Sequence, residues 1–196
     1  MSESADRSGR PPQGDGQNRD RILRAARGAF AEAGFAGASL RSIAARAQVD
    51  VALVAHYFGI KNDLFAASMQ LPPGAPDHLL AALSTPREGQ GERLSRSYFE
   101  LWEDPATSEQ LKVVGRSALT NETASTRLRS LLTGTFTQPE FAAAISGREV
   151  GFTLAMTHLF GVALGRYLIG VPPLAELDFE TLVTRTGAAV QLHLDG

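Results

Sequence analysis

From Ile22 onward, apolar side chains recur at three- and four-residue intervals. Ile22, Leu23, Ala26, Ala29, Phe30 and Ala33 share one helical face. Asn18 is placed to cap this helix and Gly34 to end it, while Arg19, Arg21, Arg24 and Arg27 leave the apolar stripe mostly clear. The pattern predicts an amphipathic helix of about four turns. Ahead of it, residues 1–18 are rich in Gly, Ser, Pro, Gln and charge and show no period, so they read as a disordered arm carrying Arg7 and Arg10.

Ser39 is placed to cap a second, shorter helix with Leu40, Ile43, Ala44 and Ala47 on its inner face. A turn at Gln48-Val49 follows, and Asp50 is placed to cap a third helix, Val51 to Phe58, which Gly59 stops. Lys61-Asn62-Asp63 opens a fourth, Leu64 to Gln70, ending before Pro72-Pro73. Beyond residue 75 the helical period continues over approximate spans 76–84, 91–103, 106–119, 121–136, 139–146, 148–169 and 178–194. The breaks fall at Thr85-Pro86, Asp104-Pro105, Gln138-Pro139 and Val171-Pro172-Pro173. No stretch alternates as a strand between hairpin turns, and there is no internal repeat. An all-α protein is expected, divided into the arm (1–18), a small helical domain (19–64) and a larger one (65–196).

Composition narrows the picture. The chain has 196 residues, 43% hydrophobic and 20% charged, enough to bury a core. The absence of cysteine excludes disulfides, thiolate metal sites, Fe–S clusters and a cysteine nucleophile. The longest apolar run, Val150 to Gly165, contains His158 and is shorter than a membrane span, and the N-terminus has no apolar signal region. A cytoplasmic location without membrane contact is the expectation.

The net charge of −2 conceals a split: residues 19–61 carry seven basic and three acidic side chains, residues 62–196 ten basic and fifteen acidic. A basic end on an acidic body suits a polyanion at that end.

Ser39 to Phe58 has the shape of a helix-turn-helix: two short helices, a three- or four-residue turn, and small residues Ala44, Ala45 and Ala47 where the helices approach. Ile43, Val49, Leu53 or Val54, and Phe58 would close a small core with Leu23, Ala26 and Phe30. The third helix would then turn outward Val51, Ala52, Ala55 or His56, and Tyr57. A helix about 10–12 Å across fits a major groove of roughly 12 Å.

Three segments carry a family resemblance: Phe30, Glu32, Gly34 and Phe35 at the end of helix one; Ser39 to Ala44 at the start of helix two; and Tyr57, Phe58, Lys61, Leu64 and Phe65. Together, from Ile22 to Phe65, they resemble the N-terminal domain of TetR-family regulators without gaps. The resemblance implies a DNA-binding domain followed by a helical ligand-binding and dimerisation domain. It departs at Gln48, where the family usually has Gly, and at Ala55, where it often has an aromatic. A non-glycine residue in a left-handed turn costs about 1 kcal/mol, so either the turn differs slightly or the strain is accepted.

The chemistry of the side chains suggests roles. Ser39 and the N–H groups of helix two suit a phosphate oxygen; Arg41 suits phosphate or a guanine edge; Val51 and Ala52 suit a thymine methyl. His56 and Tyr57 offer donors to phosphate or base, and Lys61 suits a backbone phosphate. The alternative for each is a solvated side chain.

In the body, span 148–169 is apolar all round and must be buried on more than one side. With span 178–194 it would form a four-helix interface in a homodimer, through Phe152, Leu159, Val162, Tyr167, Leu182, Val183, Val190 and Leu194, as the resemblance implies. Gly147, Gly151, Gly161 and Gly165 permit close helix approach. The resemblance also implies a pocket for a small apolar ligand, with Phe99, Trp102, Leu119, Phe136, Met156 and His158 as candidate lining residues.

The sequence holds no HExxH, paired-histidine spacing, Gly-rich phosphate loop or Ser-His-Asp pattern, and its four histidines are scattered. The expected function is a ligand-responsive repressor that binds a palindromic operator in double-stranded DNA as a homodimer, without catalysis or a cofactor. The alternatives are a dimeric all-α scaffold or an all-α enzyme without DNA binding.

Overall fold

The computed structural model describes residues 14–196. Residues 1–13, which hold Arg7, Arg10 and most of the expected arm, lie outside the described residues. Two compact units divide after Ser68.

The first unit contains α1 (Gly14–Gly37), α2 (Leu40–Ala47), α3 (Val51–Phe58) and α4 (Lys61–Ser68). Helix α1 starts four residues before the Asn18 cap that the sequence suggested, so residues 14–18 are helical rather than part of an arm. Gly34 breaks α1 as expected, at φ 68° and ψ 176°. Ile22, Ala26, Phe30, Ile43, Val54 and Leu64 are almost fully buried. Of the alternatives Leu53 and Val54, it is Val54 that enters the core.

Phe65 of α4 packs edge-on against Phe30 at 4.9 Å and meets Phe35 at the same distance. Aromatic pairs of this kind contribute about 0.5–1.5 kcal/mol beyond their buried area. They tie α4 to α1, which is why the unit extends to Ser68 and not to residue 64.

The second unit contains α5 (Ala75–Leu83), α6 (Gln90–Glu103), α7 (Pro105–Thr120), α8 (Glu122–Phe136), α9 (Pro139–Ile145), α10 (Glu149–Ala163), α11 (Pro172–Ala175) and α12 (Phe179–Asp195). Asp104, Asn121 and Asp178 cap α7, α8 and α12 with side-chain oxygens. There is no strand among the described residues. The core joins Leu94, Phe99 and Trp102 of α6 to Phe152, Ala155, Leu159 and Ala163 of α10 and to Leu182, Val183, Val190 and Leu194 of α12.

Helix α10 runs on as a π-helical segment, Leu164–Ile169. Glu149 to Ile169 therefore forms 21 continuous helical residues, long and apolar enough by composition to cross a membrane. The extent agrees with the helical span 148–169 read from the sequence, and Arg166 still ends the uncharged run at Gly165. The helix's inward residues are part of the helical core, and Arg166 at its end donates to the Leu174 and Leu177 carbonyls at 2.7 Å each.

Six of the eight residues expected at a dimer contact are instead interior to one chain. Phe152, Leu159, Leu182, Val183, Val190 and Leu194 are at most 2% exposed, so they have no surface to offer a partner. Val162 and Tyr167 are half-buried against the same core. The apolar side chains that do stand outward on α10 and α12 are Val150, Leu154 and Leu192, at 74%, 49% and 76% exposure.

The expected glycine contacts divide as well. At Gly151 the backbone meets the His193 carbonyl directly, and at Gly165 the neighbour is the Leu174 side chain. Gly161 faces open space, and Gly147 lies in the turn before α10 at φ 76°.

Candidate nucleic-acid interface

Helix α3 is held by its ends and its inner side. The Asp50 carboxylate accepts from the Ala52 N–H at 2.6 Å, closing the N-terminus, and Val54 and Phe58 anchor the buried side. Val51, Ala52, Ala55 and His56 are all exposed. At about 100° per residue they form one continuous arc of roughly 140°. Tyr57 is half-buried about 100° beyond His56 around the helix, its ring 5.4 Å from that of His56. The arc presents methyl groups and an imidazole, a surface able to read thymine methyls and base or phosphate acceptors.

The turn before α3 carries a strained residue. Gln48 adopts φ 54°, ψ 48° and is the non-glycine residue of positive φ among the described residues. Its backbone N–H still donates within α2. Gln48→Gly should raise the stability of the fold by about 1 kcal/mol, read as a higher denaturant midpoint at unchanged slope. A lower midpoint would show that the glutamine side chain contributes more than the strain costs.

Helix α2 begins in a reciprocal cap. Ser39 Oγ accepts from the Ser42 N–H, and Ser42 Oγ accepts from the Ser39 N–H, each at 3.0 Å. The Ser39 hydroxyl thus serves the helix first, while the positive end of α2 remains at the surface for an anion. Arg41 is exposed beside it.

Lys61 is less extended than the sequence suggested. Its ammonium lies 4.6 Å from the centre of the Phe35 ring and donates to the Ala36 carbonyl at 3.3 Å. This contact brings α4's first residue to the end of α1, two residues before the Ala38-Ser39 entry to α2. An ammonium has three protons, so one bond to Ala36 leaves donors for a phosphate.

Periodicity gave no sign of how the arginines are organised. Arg21 donates from Nη2 to the Ala47 and Gln48 carbonyls at 2.7 and 3.1 Å, pinning α1 to the C-terminus of α2. Arg46 forms a two-pronged ion pair with Glu32, both contacts 2.8 Å. The guanidinium holds the Glu32 carboxyl below the usual carboxylate range. The sequence shows these residues as polar positions on separate helices; only the α1–α2 packing brings them together.

In the second unit, four of the six expected pocket residues, Phe99, Trp102, Phe136 and Met156, share the apolar core, while Leu119 and His158 lie apart from it. Leu119 is 55% exposed on α7, and His158 lies against His193 of α12 with ring centres 5.7 Å apart. Phe99 and Trp102 are buried core, Phe136 packs on Phe141 and Phe152, and Met156 covers the core from one side. The sequence identified their apolar character, but a filled core and a cavity wall have the same composition.

Residues 22–68 match the model of the tetR family of bacterial regulatory proteins, and residues 88–194 match that of the tetracyclin repressor-like C-terminal domain. None of the curated proteins compared with the chain matches it. Among solved structures, a TetR-family regulator from Streptomyces coelicolor A3 is 32% identical, with 96% of this chain and 100% of that one covered and a TM-score of 0.64. A SmeT–triclosan complex is 19% identical over 88% of this chain and 91% of its own, also at a TM-score of 0.64. The multidrug binding protein EbrR complexed with ethidium is 20% identical over 92% of this chain and 99% of its own, at 0.56. The last two share the fold. The exposed third helix, the capped helix before it and the two family models, which together take in both units, agree: the chain belongs to the TetR family and is a DNA-binding transcriptional regulator.

Proposed function

We propose that the protein is a repressor that binds a palindromic operator as a homodimer in the cytoplasm and is released by a small, largely apolar ligand. The observation that carries the DNA-reading part is the outward arc of α3, with Val51, Ala52, Ala55 and His56 exposed while Val54 and Phe58 are buried. Such a helix has a fixed inner side and a free outer one, which is what groove insertion requires. Ser39, Arg41 and Lys61 border it and would take the flanking phosphates; Tyr57 would reach phosphate or base. Two copies related by a twofold axis would read half-sites one or more helical turns apart. The body serves as dimerisation and ligand-binding domain without catalysis.

For the ligand, the triclosan and ethidium complexes of SmeT and EbrR support a small aromatic molecule. Within this chain, the Ser95 and Ser117 hydroxyls are buried with no hydrogen-bond partner among the described residues. Buried hydroxyls left unpaired are costly. A coupling of about 1–3 kcal/mol between ligand and operator gives a 5–150-fold change in affinity.

The test is selection of bound sequences from a random duplex pool. Recovery of an inverted repeat supports both reading and symmetry, and a pool that shows no enrichment rejects the proposal. On a recovered duplex, Lys61→Ala should lower the salt dependence of log K by about 1 per half-site, with a similar loss on all sequences. Tyr57→Ala should weaken binding of the selected sequence. Unchanged affinity in both variants would remove these residues from the interface.

A further inference from the structure

A cleft of about 280 Å³ opens on the first unit between α1 and the end of α2, lined by Arg21, Arg24, Ala25, Arg46, Ala47 and Gln48. We propose that this cleft seats a phosphate group, and that in the operator complex the group is a backbone phosphodiester of the duplex. The second clause rests on the DNA-binding reading above.

The charge of the cleft dictates the sign of its ligand. Three guanidinium groups line it, and the one carboxylate bonded to them, Glu32, is held by Arg46. Two of the three are fixed in advance. Arg21 is fastened by the Ala47 and Gln48 carbonyls, and Arg46 by Glu32. Gly28 leaves room for that placement: a Cβ there would come within 2.7 Å of Arg46 Nη2 and 2.8 Å of its Cζ, so a side chain at this position would push the guanidinium aside.

Arg24 is exposed and has no ion-pair partner among the described residues. The arrangement thus has one uncommitted cation between two anchored ones. An anion entering it meets a positive field in which two of the three guanidinium groups have already been ordered by folding, which lowers the entropic cost of binding.

Position points to the duplex as the source. The carbonyls that hold Arg21 belong to Ala47 and Gln48, and Asp50, the cap of α3, lies two residues on. The cleft therefore adjoins the turn by which the chain enters its DNA-facing helix. When a helix occupies a major groove of roughly 12 Å, phosphates run along both edges, within the reach of an arginine at the turn.

Two measurements on the full chain decide the matter. In the first, affinity for a selected duplex and for an unrelated one is followed between about 50 and 200 mM salt. Arg24→Gln should reduce the slope of log K against log salt by about 0.9 per half-site on both duplexes, and Arg24→Lys should restore most of it. Because Arg24 is on the surface, the thermal midpoint of either variant should stay that of the parent protein, which separates the effect from misfolding. In the second, inorganic phosphate is titrated against chloride of equal ionic strength while arginine N–H resonances are observed. The signals of Arg24 and Arg21 should move and saturate, and Arg24→Gln should abolish the change at Arg21.

An unchanged slope with saturable phosphate shifts would overturn the duplex assignment and leave a free-anion site. An unchanged slope without shifts would overturn the proposal entirely. If the parent protein binds no duplex, the regulator reading fails by itself, and the phosphate titration still decides whether the cleft is an anion site.

Discussion

In the proposed homodimer, Leu154→Asp and Leu192→Asp should each separate the two copies while leaving the fold of each chain intact. Both side chains stand outside the core, Leu154 at 49% and Leu192 at 76% exposure, beside Val150 at 74%. The backbone of Gly151 rests on the His193 carbonyl, so Val150 and Leu192 flank the same crossing of α10 and α12. Gly161 continues the α10 side with open space above it. This apolar strip costs free energy in water and is recovered when a second copy covers it.

A carboxylate in its centre would have to be desolvated twice at a twofold contact. The dimer should weaken at least about a thousandfold, near 4 kcal/mol. Sedimentation would read the change directly. Operator affinity should fall by about 10²–10⁴, because the half-sites no longer bind as one linked pair. A dimer that persists in both variants would place the interface elsewhere, and monomers that keep the parent's helical content would confirm that the strip is not core.

Gly91→Val should destabilise the second unit by about 3 kcal/mol or more, lowering its thermal midpoint by roughly 10 °C. Gly91 of α6 and Gly187 of α12 meet where the two helices cross. A Cβ on Gly91 falls onto the Gly187 carbonyl oxygen and lies 2.8 Å from the Gln191 Cα, and one on Gly187 lies 2.7 Å from the Glu92 Cα. These obstacles are backbone, so no side chain can rotate away; the helices must separate.

Separation also breaks the bond from the Gly91 N–H to Gln191 Oε1, 2.8 Å long, and loosens Leu94 and Phe99 from Leu182, Val183 and Val190. The control is Gly16→Ala, in open space on α1, which should not lower the midpoint. A Gly91→Val protein with the parent midpoint would mean that α6 and α12 do not cross this closely.

Much of the first unit was legible from local chemistry. Ser39, Asp50 and Gly59 mark the ends of α2 and α3 because a cap or a positive-φ glycine acts on its own few residues. At Gln48 the resemblance left two outcomes, an altered turn or an accepted strain, and the left-handed backbone shows the second. The start of α1 was placed too late, because a polar stretch without apolar period gives no sign of whether a helix extends into it.

Lys61 shows the limit at the site itself. Its charge and its place at the head of α4 are sequence facts, whereas its contact with Phe35 and the Ala36 carbonyl depends on how α4 meets α1.

The amino-acid order by itself determined that this chain is helical, where its reading helix begins and ends, and which unit carries the positive charge. Those properties follow from interactions between residues a few positions apart. Only the tertiary structure decided which side of α10 and α12 is interior, why Leu154 and not Leu159 is available to a partner, and that Arg21, Arg24 and Arg46 share one cleft. A helix apolar all round carries no inward mark, and charges on separate helices carry no record of their distance. Both are set only when the elements pack.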